Sequence, residues 1–248
     1  MIQVINKAFD MLEYLAKDPR RRIKLNEISG HFKINPGTCA NILKTLVQRG
    51  FVDQEKVRGG YLLGPMIYYL SRSSAYRADL VAAAEPVMAD VVKKVNESVL
   101  LAILRGNKRF VVLQMDGKQS VQVNHDMFFQ ENIYQTATGR LLLAYLSEQE
   151  QDALIAEKGL PGFSWPEASS LKKIKIELNA IRRRGWVIHQ PFAELIAIAC
   201  PISENGKVVA SLGLFLPAFR FKGAHKTEIM RVMSASSVAI SARMRNEN

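Results

Sequence analysis

Gly37, Asn41, Lys44 and Gln48 recur at spacings of three and four, with Thr45 beside them, so they share one side of a short helix. Asn, Gln, Thr and Lys hydrogen-bond base edges in the major groove of duplex DNA, which is wide enough to admit a helix. Lys56 and Arg58 follow in a turn closed by Gly59-Gly60, where their charges can lie against phosphates. The chemistry these residues support is hydrogen-bonded reading and charge neutralisation, not bond making.

The surrounding residues must hold that face outward. Asn35 is a favourable N-cap and Pro36 fits the first helical position, where its missing N–H costs nothing. Cys39, Ile42, Leu43, Leu46 and Val47 form the opposite, apolar stripe, and Gly50 ends the helix. Phe51-Val52 and Tyr61–Leu63 pair as strands across residues 53–60. Upstream, Ile5, Ala8, Phe9, Leu12 and Leu15 predict a helix over residues 3–17, and Asn26 caps a second whose Ile28 and Phe32 face the core. Three helices and a two-stranded wing make a winged helix-turn-helix. A solvated helix-turn-helix with no nucleic-acid partner would show the same stripe.

Composition points the same way. The chain has 248 residues, 48% hydrophobic and 23% charged, with a formal charge of +11 and a pI near 9.7. Residues 1–77 carry 13 Lys and Arg against 6 Asp and Glu, which places most of the positive surplus beside the reading face. Cys39 and Cys200 lie far apart and read as reduced core residues of a cytoplasmic protein. The amphipathic N-terminus, with Asp10, Glu13 and Lys17, is no signal peptide, and no apolar run is long enough to cross a membrane.

No catalytic constellation emerges. His31, His125, His189 and His225 have no metal spacing with one another or with the cysteines, and the phosphate-binding and nucleophile-elbow motifs are missing. Thr136 and Thr138 with His189 could be drawn as nucleophile and base, but helix capping accounts for the threonines more simply. The expectation is no catalytic residue, no metal and no cofactor.

Beyond Gly64-Pro65 the chain reads as helical to about residue 96, interrupted near Ser71–Ala75 and at Pro86. From Ser98 the period changes to two. Val99–Leu104 and Phe110–Met115 form a hairpin, and Ser120–Asn124 a third strand. Helices over Thr136–Leu146, Glu148–Glu157 and Leu171–Arg184 lead to a strand at Trp186–Gln190 and to a hairpin across Glu204-Asn205-Gly206, where Asn-Gly between apolar runs is a strong turn signal. A helix over 224–245 closes the chain. The fold class is α+β, with an antiparallel sheet flanked by helices following the winged helix-turn-helix.

In order and spacing these pieces resemble the IclR family of bacterial transcriptional regulators. The resemblance rests on NKAFDMLEYLA, LNEISGHFKINPGTCANILKTLVQRGFV, GGYLLGPMIYYLS, ATGRLLLAYLSEQE, IRRRGWVI and IACPISENGKVVASLGL. It implies a winged helix-turn-helix over 1–64, a linker helix over 65–80 and a GAF-like effector-binding and oligomerisation domain over 81–248. It further implies double-stranded operator DNA as partner, a small-molecule effector, commonly a carboxylic acid, and assembly as a homodimer or dimer of dimers.

By motif, the resemblance assigns DNA contact to Gly37, Thr38, Ala40, Asn41, Lys44 and Thr45. The family commonly has Ser and Arg where this chain has Gly37 and Asn41, and Asn41 suits adenine where Arg suits guanine. The implied effector positions are Ala137, Thr138 and Gly139, then His189, Leu195 and Ala197, then Gly213 and Phe215. Helix-start N–H groups and the Thr138 hydroxyl suit a carboxylate. The loop between Gly185 and Ile196 is shorter than usual, and Phe215 would narrow the pocket. A C-terminal domain that only oligomerises is the alternative.

Overall fold

The computed structural model describes residues 2–54, 59–72, 76–119 and 132–246. Internal contacts divide the chain into two units, Met1–Tyr76 and Arg77–Asn248. The first contains α1 (Gln3–Ala16), α2 (Leu25–His31), α3 (Pro36–Gln48), β1 (Val52–Gln54), β2 (Tyr61–Leu63) and α4 (Pro65–Arg72). Met11, Leu15, Ile28, Cys39, Leu43 and Val52 are buried together at its centre. Each large apolar side chain removed from water there contributes about 1.5–3 kcal/mol.

Asn35 caps α3 as its type suggests, its Oδ1 accepting from the Gly37 N–H at 2.8 Å. Asn26 does not cap α2. That helix begins at Leu25 behind Lys24, without a side-chain cap, so Asn26 lies inside its first turn. β1 and β2 pair antiparallel with Val52 opposite Leu63, and Ile23 bridges to Tyr61. Gly64 closes the wing by proximity: a Cβ there would lie 2.3 Å from the Gly50 carbonyl oxygen. The expected wing contacts Lys56 and Arg58 lie outside the described residues.

The second unit opens with α5 (Ala78–Val95), β3 (Ser98–Arg105) and β4 (Lys108–Met115). It continues with α6 (Ala137–Tyr145), α7 (Glu148–Lys158), α8 (Leu171–Arg184), β5 (Val187–Phe192), β6 (Leu195–Glu204), β7 (Lys207–Pro217) and α9 (Gly223–Asn246). The strands form one antiparallel sheet in the order β4-β3-β7-β6-β5. Both anticipated hairpins are present. Gly106-Asn107 and Asn205-Gly206 turn them with positive φ at both residues, the backbone that Asn and Gly tolerate and that matches strand twist. The third strand expected over Ser120–Asn124 lies outside the described residues.

Alternation along the strands divides the sheet's two faces. Val99, Leu101, Ile198, Cys200, Leu212 and Leu214 pack with α5 and α9, while Ala197 and Ala199 turn toward α6 and α8. Pro86 does not interrupt α5, contrary to the sequence expectation. The helix runs through it unbroken, because Ala83, Ala84, Met88 and Val91 are buried against the sheet on both sides of the missing N–H.

Two polar clusters secure this unit. Glu97 is 2% exposed and accepts from Arg220 and from His225, tying the start of β3 to the entrance of α9. At the other end of α6, the last carbonyls are taken by side chains of its neighbours. Gln151 Nε2 on α7 reaches Leu143, Ala144 and Leu146, and Arg182 on α8 reaches Ala144 and Leu146.

Candidate nucleic-acid interface and ligand site

Asn35 and Pro36 start α3 so that its apolar stripe meets the core and the opposite face meets solvent. Gly37, Thr38, Asn41, Lys44 and Thr45 are exposed together on that face, and Ala40 is half-buried beside them. Gly37 has a local reason to be glycine, since a Cβ there would lie 3.1 Å from the Asn35 cap oxygen. Thr45 Oγ1 donates to the Asn41 carbonyl at 3.1 Å, so that hydroxyl proton is already engaged within the helix. The Asn41 amide and the Lys44 ammonium are the long reaching groups of the surface.

The helix α1 carries more than the single stripe its periodicity suggests. Met11 and Leu15 are buried, whereas Ile2, Ile5 and Phe9 are exposed, Phe9 by 60%. Val4, Ile5 and Phe9 border an apolar groove of about 520 Å³ shared with α3, with Asn41 and Arg49 on its rim. The signal was present in the sequence, because a helix with one buried face does not need large apolar residues at positions 2, 5 and 9 as well.

In the second unit, Ala137, Thr138 and Gly139 are buried at the start of α6. Thr136 Oγ1 caps it, accepting from the Gly139 N–H at 3.0 Å. The helix start sits directly on β7: a Cβ at Gly213 would lie 2.7 Å from Thr138 Cγ2. Across the sheet, His189, Ala197 and Phe215 are register partners on β5, β6 and β7. Leu195 pairs with Phe192 and Pro217 at the end of that row. The eight implied positions therefore form two groups, the helix start on Gly213 and the strand row.

Sequence reasoning missed Arg109. It stands opposite Leu104 in the β3–β4 pairing, is buried, and donates from Nη1 to Thr138 Oγ1 at 3.4 Å. Burial lowers its pKa to about 10, which leaves it cationic at neutral pH. Its strand position alternates onto the α6 side, but only the register to β3 reveals what lies above it.

Beyond the strand row lies a cleft of about 620 Å³ between α8 and β5. Glu177 and Arg184 reach it from one face of α8, His189 from β5, and Trp165 and Glu167 from the preceding turns. Arg140, one position after Gly139, forms part of its wall. That guanidinium is 7% exposed, donates from Nε to the Tyr134 carbonyl at 2.7 Å and from Nη2 to the Ser164 carbonyl, and stacks 4.4 Å from the Trp165 ring. His189 shares a 3.1 Å hydrogen bond with the Gln135 carbonyl. Burial, helped by the Arg140 charge, lowers its pKa to about 4, so it is neutral at pH 7 and must carry its proton on Nε2 to donate there. Of the eight implied effector positions, His189 is the one that lines this cleft. Among the described residues no group of three His, Cys, Asp or Glu could hold a metal, and no helix is long and apolar enough to cross a membrane.

Comparison with known proteins matches residues 4–56 to the IclR helix-turn-helix domain and residues 72–242 to the bacterial transcriptional regulator IclR C-terminal family. The glycerol operon regulatory protein of Streptomyces griseus is 26% identical over 250 residues, spanning 97% of this chain and 95% of that protein. An IclR transcriptional regulator from Alicyclobacillus acidocaldarius has the same fold with a TM-score of 0.79 at 22% identity, covering 98% of this chain and 99% of its own. An IclR homologue from Microbacterium hydrocarbonoxydans, crystallised with 4-hydroxybenzoate, superposes with a TM-score of 0.76 at 21% identity, covering 98% and 99% of the two chains.

Proposed function

The chain belongs to the IclR family of bacterial transcriptional regulators, and from that premise we propose that it reads a short operator through α3 and answers to a small organic acid bound near the start of α6. The observation that carries the reading is the exposed face of α3, where Asn41 and Lys44 stand clear of a buried core and a capped helix start. Asn41 pairs with adenine in the major groove, while Lys44, Lys56 and Arg58 neutralise phosphates. Gly37, Thr38, Ala40 and Thr45 shape the approach of the helix to the duplex. The functional division is a reader over 1–64, a linker over 65–80 and a GAF-like sensor over 81–248.

The acid is held by Thr138 and the N–H groups of Ala137 and Gly139, with His189, Leu195, Ala197, Gly213 and Phe215 shaping the chamber. A buried guanidinium beside Thr138 favours an anion there. The structural neighbour with bound 4-hydroxybenzoate supports an acid as the ligand class. The protein works in the cytoplasm as a homodimer or a dimer of dimers. The exposed Ile2, Ile5 and Phe9 face of α1 suits a second copy, because a patch of that kind is costly to leave in water.

Mobility shifts with DNA from upstream of its own gene test the reading. Retardation should weaken steeply with salt, by counterion release, and should change when an acid that raises the melting temperature is added. Equal affinity for upstream and random DNA would overturn operator recognition. Failure of every acid to alter either signal would overturn the sensor assignment.

A further inference from the structure

The cleft between α8 and β5 has a charge pattern that an acid effector does not explain. Arg140 and Arg184 meet it with guanidinium groups, Glu167 and Glu177 with carboxylates, and none of the four is ion-paired among the described residues. Both carboxylates are close enough to act on Arg140 through space, yet they do not reach it as partners. Nη1 of Arg140 makes no hydrogen bond among the described residues, although the other two nitrogens are anchored to carbonyls. A guanidinium fixed in position by two carbonyls, with its third nitrogen open to the cleft, is preorganised for a carboxylate.

A simple carboxylic acid in this cleft would meet Arg140 but also face Glu167 and Glu177. A simple amine would meet the two glutamates but face Arg140 and Arg184. With His189 neutral, the four charges sum to zero, and a ligand carrying one charge of each sign satisfies them together. Glu177 and Arg184 lie two turns apart along one face of α8, so the charges are spread along the cleft and not stacked at one point. The volume of about 620 Å³ falls within the range of small-molecule pockets, about 300–1,000 Å³, and the Trp165 ring and the exposed Phe192 give it apolar walls.

We propose that this cleft is a second ligand site, separate from the one at the start of α6, and that it takes a free α-amino acid, with the carboxylate on Arg140 and the ammonium between Glu167 and Glu177. The two sites share His189 and the first turns of α6, so occupancy of one bears on the other. The site goes beyond the acid-effector reading and does not depend on it.

Intrinsic fluorescence provides the test, since one of the chain's two tryptophans is Trp165 in the cleft wall. The full-length protein is titrated with each of the common L-amino acids. It is then titrated with matched probes that lack one charge: 3-phenylpropanoate and phenethylamine for phenylalanine, 4-methylpentanoate and 3-methylbutylamine for leucine. At least one amino acid should give a saturable change, and its deaminated and decarboxylated counterparts should bind at least about tenfold more weakly. Glu177→Gln should weaken the amino acid about tenfold, and Glu167→Gln, at an exposed position, checks the result independently of folding. The proposal fails if no amino acid titrates, if the matched acid binds as tightly, or if neither variant changes the affinity. An amino acid that binds wild type, Glu167→Gln and Glu177→Gln equally would sink the zwitterion site while leaving the acid-effector reading intact.

Discussion

Arg220 holds Glu97 with two hydrogen bonds, Nε to one carboxylate oxygen at 2.7 Å and Nη2 to the other at 2.6 Å, and His225 adds a third contact at 3.2 Å. A carboxylate only 2% exposed survives there because its charge is met on both oxygens. Arg220→Met leaves that buried charge with the His225 contact alone, and should lower the stability of the second unit by about 3 kcal/mol. Urea unfolding followed by circular dichroism measures the loss, and a midpoint equal to wild type would show that the pair contributes nothing.

Asn41→Ala removes an amide near the middle of the exposed α3 face that is able to make a bidentate adenine contact. Operator affinity should fall about tenfold or more, while random DNA is bound as before. Lys44→Ala and Lys56→Ala should weaken both about equally and flatten the salt dependence. Parallel mobility shifts on the two DNAs separate the outcomes, and equal losses for Asn41→Ala would remove its base-reading role.

Gly213→Ala inserts a methyl into the contact between β7 and the start of α6, where 2.7 Å is too short for any carbon pair. The Thr138 and Leu100 side chains must shift, and Thr138 carries the start of α6 with it unless its side chain can turn aside. The expected cost is about 2 kcal/mol in stability together with loss of the thermal shift produced by the acid. Unchanged melting and an unchanged ligand response would show that the helix start is free to move.

His189 makes the protein sensitive to acid. Its folded pKa of about 4 lies below the ordinary 6.5, so between those values the unfolded chain binds a proton that the folded one refuses. Stability is therefore unaffected by this group above pH 6.5 and declines as pH falls from 6.5 toward 4, by up to about 3 kcal/mol. Arg140 and Glu167 act on it from opposite sides in charge. His189→Gln keeps a donor for the Gln135 carbonyl but cannot titrate, and its melting temperature should fall less than wild type across that interval.

Ile5→Glu on α1 places a charge in the exposed apolar face. Light scattering should show a smaller assembly than wild type, and half-saturation of the operator should require more protein. An unchanged mass would place the contact between copies elsewhere.

The hairpins were open to reading because a two-residue turn with positive φ leaves a local signature in Gly-Asn and Asn-Gly. The reader helix was equally legible, since Asn35, Pro36 and its apolar stripe are all local features. Pro86 misled because helix breaking is a local tendency, and burial of its neighbours against the sheet outweighed it. Arg109 and Arg140 were invisible for a related reason: their meaning depends on partners 29 and 24 residues away, at Thr138 and Ser164. The second cleft draws on residues from Gln135 to Phe192, and no spacing rule assembles those into one wall.

The side chains that reach the far end of α6 give that helix an asymmetry. Its last carbonyls are held from two directions by Gln151 and Arg182, so the C-terminal turn moves only if α7 and α8 move with it. Its first turn is held by the Thr136 cap, by the Arg109–Thr138 hydrogen bond, by contact with β7 and by the Arg140 anchors on the Tyr134 and Ser164 carbonyls. A ligand that displaces the first turn therefore pushes on a rod clamped at its other end, where any shift that arrives carries α7 and α8 with it.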